Sequence, residues 1–189
     1  MSSGLAIGAA AALAVAGSLL RGGRGGRSIS PEELPPQVPG PHRARVAFLL
    51  SLKARVSPLK RAPLALRAFR SYVEESNPWE DFDGWVIWGE ISAEEAKRMV
   101  WESLDDAQRS RWSGFDEHHA WYISGRDVPN YGTLERWPSL VNLEEGEELF
   151  WDGWHRFHSY IRSGHATVPF YAVISPQIGK LLRESGFSQ

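Results

Sequence analysis

Residues Phe150 to Val173, FWDGWHRFHSYIRSGHATVPFYAV, constrain the fold of this chain more than any other stretch. The stretch reads as strand, tight turn, helix, glycine stop and strand. Phe150 and Trp151 close an apolar run. Asp152-Gly153 supplies the turn, and the Asp152 carboxylate is expected to cap the helix by accepting from its free N–H groups. Phe157, Tyr160 and Ile161 recur at i, i+3, i+4, the spacing of one helical face. Gly164 stands where a left-handed C-cap belongs. Val168, Phe170, Ala172 and Ile174 then alternate with Pro169, Tyr171 and Val173, as in a buried strand.

The chemistry gathers at the helix start. A helix N-terminus presents about half a positive charge and several unbonded N–H donors. His155 and Arg156 add an imidazole and a guanidinium fork there, a combination suited to phosphate oxygens. The spacing alone also fits an ordinary capped helix with both side chains in water.

Asp152-Gly153-Trp154-His155-Arg156, followed by Gly164 and by Val168-Pro169 opening a strand, resembles the ParB/sulfiredoxin superfamily. The similarity covers Leu134 to Ile174. It implies an α+β fold, a small mixed sheet with packed helices, and nucleotide phosphates held at the turn. Gly153, His155 and Arg156 match the phosphate-binding positions, and Asp152 matches an acidic one. The implied cofactor is Mg²⁺ with CTP, ATP or ADP, with Asp152 as the candidate magnesium contact. Asp152, His155 and Glu117 are the candidate catalytic residues for phosphoryl transfer or nucleotide hydrolysis. The chain has no cysteine, which excludes sulfiredoxin chemistry. Only fifteen residues follow Ile174, so the helix-turn-helix region of chromosome-partition ParB proteins is not expected.

Charge divides the chain. Residues 1–73 hold 11 Lys/Arg and 2 Asp/Glu, a formal +9, and residues 74–189 hold 10 and 21, a formal −11. Such asymmetry points to a membrane surface or nucleic acid as partner of the basic part. Within it, residues 4–20 are uncharged and followed by Arg21, Arg24 and Arg27. That is the short end of a spanning helix, and residues 1–21 are expected to form an apolar N-terminal helix. If it spans, the arginines place the following domain in the cytoplasm; a mitochondrial presequence, a virion-associated protein and a soluble cytoplasmic one remain open. Residues 22–41 are a Gly/Pro-rich linker. Residues 42–73 are basic and partly apolar. They are expected to form two short helices that meet anionic lipid or nucleic acid, or pack on the acidic domain of residues 74–189.

In that domain Trp85–Trp88 is a strand candidate. Ser92 and Glu95 form a capping box opening a helix that turns Ala96, Met99 and Val100 inward. A short helix from Ser103 to about Trp112, a strand at Ala120–Ile123 and a hairpin across residues 140–151 follow. A helix after Pro176 closes the chain. Asp116, Glu117, His118 and His119 form a polar cluster. Its plainer reading is a solvated loop, and its sharper one supplies a base or magnesium ligand facing Arg156. His158 is expected to pack rather than bind a ligand. The nine tryptophans, Trp79 to Trp154, are expected mainly in the core. The two other functions left open are a non-catalytic membrane-associated or phage-particle interaction protein, and nucleic-acid binding or cleavage through the basic segment.

Overall fold

In a computed structural model the described residues are 27–62, 84–126 and 137–187. Five strands form one mixed sheet: β1 (Arg55–Pro58), β2 (Trp85–Ser92), β3 (Ser139–Val141), β4 (Phe150–Asp152) and β5 (Thr167–Ile174). Their spatial order is β1-β2-β5-β3-β4. β5 pairs antiparallel with β2 over eight residues, from Thr167 opposite Ser92 to Ile174 opposite Trp85. Its other edge pairs parallel with β3, and β4 returns antiparallel to β3.

Side-chain alternation sorts the two faces. Val168, Phe170, Ala172 and Ile174 of β5 join Trp85, Ile87 and Ile91 of β2 in the main core. Tyr171 meets Val86, Leu140 and Leu59 on the opposite face. The β-branched and aromatic residues of both strands suit a pleated surface buried on each side. Six α-helices lie among the described residues: α1 (Arg43–Ser51), α2 (Ala93–Ser103), α3 (Asp106–Arg109), α4 (Phe115–Ser124), α5 (Trp154–Arg162) and α6 (Pro176–Glu184). The architecture is therefore mixed α+β, as expected.

Local chemistry explains most of the helix ends. Ser92 accepts from the Glu95 N–H and Ser175 from the Ile178 N–H, so α2 and α6 start on hydroxyl caps. Glu95 does not reach back to complete a box; its carboxylate is paired with Arg98 instead. Asp105 and Gln108 complete one at α3, whose helix ends at Arg109 rather than near Trp112. α5 closes as the glycine predicts: Gly164 is left-handed, with Gly164 N–H to Ile161 O and His165 N–H to Tyr160 O.

The N-terminal half departs from expectation. Of the two short helices expected across residues 42–73, the second falls on residues 63–73, outside the described residues, and the structure describes residues 42–62. They supply α1 and then β1, which pairs with β2 and extends the sheet. Val46, Ala47, Phe48, Leu49 and Leu50 are all buried, so α1 is a core helix with no single apolar stripe. The proline-rich part of the expected linker also packs, with Leu34 and Val38 in the core. Arg43 of α1 holds it, donating to the carbonyls of Pro31, Leu34 and Pro35 at 2.6–2.9 Å. Charge complementarity does operate at Arg45, whose guanidinium donates to Asn142 O at 2.9 Å and Glu147 O at 2.6 Å beside an acidic turn. Residues 4–20 and most of 124–137 lie outside the described residues. Among the described residues no helix is long and apolar enough to cross a membrane.

Gly179 of α6 shows how closely the layers meet. A Cβ there would fall inside the indole of Trp85, itself 5% exposed. Gly179→Ala is expected to destabilise the protein by about 1–3 kcal/mol despite alanine's better helix propensity. A urea-denaturation midpoint unchanged or raised would contradict this packing.

Candidate functional site

The β4–α5 corner is built on one glycine. Gly153 has φ +94°, the left-handed region, and takes the N-cap position that Asp152 was expected to fill. A Cβ at Gly153 would lie 2.8 Å from both the Cα and the Oγ of Ser139 and 2.9 Å from the Arg156 guanidinium. β3 thus presses directly on the turn, and the Ser139 hydroxyl donates to the Gly153 carbonyl at 3.1 Å. Glycine makes no side-chain cap, so the start of α5 carries no such bond.

Asp152 serves Arg156 instead. The guanidinium donates to the Asp152 carboxylate, and its Nε donates to Pro138 O at 3.1 Å. With its side chain only 13% exposed, Arg156 forms part of the wall behind the turn. His155 points the other way. It is exposed, and its Nδ1 lies 3.4 Å from the Tyr122 hydroxyl of α4. The two residues expected together at the mouth of an anion site are therefore divided between wall and surface.

Residues 115–124 form α4, not a solvated loop followed by a strand. Phe115, His118, His119 and Tyr122 fall at i, i+3, i+4, i+7 and turn toward α5, which answers with Phe157 and His158. His119 Nδ1 and His158 Nδ1 are 2.7 Å apart, so one ring donates and the other accepts. Tyr122 stacks on His158 with centroids 3.9 Å apart and planes 15° apart. His158 is fully buried, and among the described residues its Nε2 has no hydrogen-bond partner; nor does Nδ1 of buried His118. His158 packs, as expected, but within a seam of imidazoles that sequence reasoning missed. Its signal was the helical spacing of residues 115–122, hidden by the β-like composition of Ala120–Ile123.

Electrostatics follow burial. Desolvation first, and then His119, His118, His155 and Arg126 nearby, push the His158 imidazole down to about 2. Desolvation also lowers His118 and His119. These rings stay neutral at neutral pH. Burial raises the Tyr122 hydroxyl. Glu117 neither faces Arg156 nor is poised as a base: its carboxylate accepts from the Ser113 N–H at 2.6 Å and hydroxyl at 2.8 Å. Those bonds stabilise the anion and lower its affinity for a proton. Among the described residues no group of three or more His, Asp or Glu is placed to hold a metal ion.

The tryptophans are less buried than expected. Trp85 is in the core, whereas Trp121 is 46% and Trp151 64% exposed. The Arg126 guanidinium lies over the rings of Trp121 and Tyr122, at 4.8 and 4.3 Å from their centroids. Tyr122, the ring that meets His155, thus also carries the Arg126 cation. Compared with known proteins, the chain matches no family model, and no curated protein and no solved structure is significantly similar to it.

The histidine seam sets an acid limit. Unfolding lets His158 take up a proton that the folded site refuses. Its contribution is complete above about pH 6.5 and is lost as the pH falls toward the folded value of about 2. By pH 4.5 the loss from this ring is about 3 kcal/mol, with His118 and His119 acting in the same direction. His158→Phe is expected to flatten the dependence of the urea midpoint on pH between 7 and 4.5. An equal slope in the variant would place the acid sensitivity elsewhere.

Proposed function

We propose that this protein binds a phosphate-bearing compound, a nucleotide first among them, at the start of α5. The observation that carries the reading is a nine-residue helix beginning on a glycine without a side-chain cap, with an exposed imidazole in its first turn. Positively polarised N–H groups, His155 and the neighbouring Arg126 would meet phosphate oxygens. The resemblance of residues 152–156 to the ParB/sulfiredoxin turn supports the same ligand class.

The residue roles are narrower than the resemblance implied. Gly153, closed over by Ser139, sets the left-handed turn and leaves the first-turn N–H groups of α5 without a side-chain cap. His155 makes the side-chain contact. Arg156 fixes the turn through Asp152 and Pro138, and magnesium at Asp152 would compete with that guanidinium. The corner is open to solvent at His155 and Trp151, which suits binding better than phosphoryl transfer, where shielding from water matters.

Isothermal titration of the full chain with CTP, ATP and ADP, with and without Mg²⁺, tests the reading. At least one nucleotide is expected to bind, and His155→Ala to weaken it about tenfold, as loss of a charge-assisted hydrogen bond does. Arg156→Ala is expected to act differently, costing about 1–3 kcal/mol of stability by stranding Asp152 and the Pro138 carbonyl. Heat from none of the nucleotides, on a sample folded by circular dichroism, would reject the proposal.

A further inference from the structure

Away from the β4–α5 corner, a cavity of about 410 Å³ opens between α1, α2 and the β3–β4 hairpin. That volume falls within the range of small-molecule sites. Phe48, Met99, Leu104 and Leu149 supply its apolar lining, each from a different segment. These side chains are otherwise core residues, 9% exposed or less, whose remaining accessible surface faces this space.

The polar groups in its walls are already engaged. The Ser103 hydroxyl donates to Val100 O at 2.9 Å and accepts from the Leu149 N–H at 3.3 Å. The Arg45 guanidinium is spent on the carbonyls of Asn142, Glu147 and Glu148. The charge at the mouth is carboxylate: Asp105, Glu145 and Glu147 are exposed there, and Glu102 lies beside them, paired with Arg98. Four carboxylates against one guanidinium line the cavity. A ligand matched to these walls is apolar over most of its length and positively charged at one end. An anionic ligand would meet like charge at the entrance without a free donor inside.

We propose that this cavity is a binding site for a small amphiphilic amine, its hydrocarbon part against Phe48 and Met99 and its ammonium group at Glu145 and Glu147. The site is independent of the phosphate reading, shares none of its residues and stands if that reading fails.

The chain's two methionines, Met1 and Met99, provide the test. Protein labelled with ¹³C at the methionine methyls is titrated with 4-phenylbutylammonium, 4-phenylbutan-1-ol and 5-phenylpentanoate, three probes that carry different head groups on the same phenyl-tetramethylene body. The Met99 methyl resonance is expected to shift saturably with the ammonium probe at a Kd on the order of 1 mM, the affinity such a small ligand can reach. The alcohol should bind more weakly, and the carboxylate about tenfold more weakly than the amine, given two or three carboxylates at a solvated mouth. Glu145→Lys with Glu147→Lys, in protein whose amide spectrum stays folded with these acids gone from beside Arg45, should reverse the order of amine and carboxylate, and Glu145→Gln with Glu147→Gln should abolish the preference. No saturable shift with the amine up to about 10 mM, in a sample whose amide spectrum is folded, overturns the site. Equal affinity for amine and carboxylate, or no reversal in the double variant, overturns its ligand class.

Discussion

The two-sided burial of β5 is the constraint from which the rest of the molecule follows. Thr167–Ile174 is paired along all eight residues to β2 on one edge and to β3 on the other, at the centre of the five-strand order. Val168, Phe170, Tyr171 and Ala172 are each 2% exposed or less. At about 2 kcal/mol for each large side chain removed from water, this one segment accounts for a large share of the hydrophobic stabilisation. It also fixes position. β3 must lie beside β5, and β3 carries Ser139 against Gly153, so the turn that opens α5 is set by the sheet rather than by its own sequence.

That dependence explains the division of labour at the corner. A turn residue squeezed against Ser139 has to be glycine, and a glycine cannot cap. Asp152, the expected cap, is directed to Arg156 across one helical turn. The guanidinium in turn satisfies the Pro138 carbonyl at the entry to β3. Backbone placement, the acid and the base are thus committed to geometry, which leaves His155 and the first-turn N–H groups as the chemically available part. On the other side of α5, neutral imidazoles stacked between aromatic rings do the packing that leucines do in most helix pairs. The cost is two buried ring nitrogens without partners among the described residues, and a seam that acid loosens.

Much of this was legible in the residues, and the failures have physical causes. The strand-turn-helix-glycine-strand order of residues 150–174 was readable because glycines, polar caps and two distinct periodicities coincide there. β2 and α2 were equally clear, from a β-branched run and from Ser92. α4 was missed because Ala120-Trp121-Tyr122-Ile123 has strand composition; its helical stripe uses histidines, which hydrophobic patterning does not count. α1 was readable as a helix but not as a core one, because five consecutive apolar residues amid arginines suggest a surface segment, when the helix is buried around its whole circumference. Arg43 and Arg45 looked like charges seeking an outside partner. Each is instead spent on backbone carbonyls, a role that no pattern of charge along a sequence discloses. The Asp152 cap failed for the reason already given, a neighbour in space and not in sequence.

The attachment of α1 carries a consequence for how the chain is made. Arg45 finds its carbonyl partner in Asn142, 97 positions later. A ribosome adding about 5–20 residues per second leaves α1 in the open for roughly 5–20 seconds before its hairpin exists. Through that interval Val46–Leu50 is a bare apolar pentad with basic residues on both flanks, the pattern that molecular chaperones grasp on nascent chains. A segment that leaves the tunnel well before its partner is among the last to find its place, and its wait is written into the topology of the sheet.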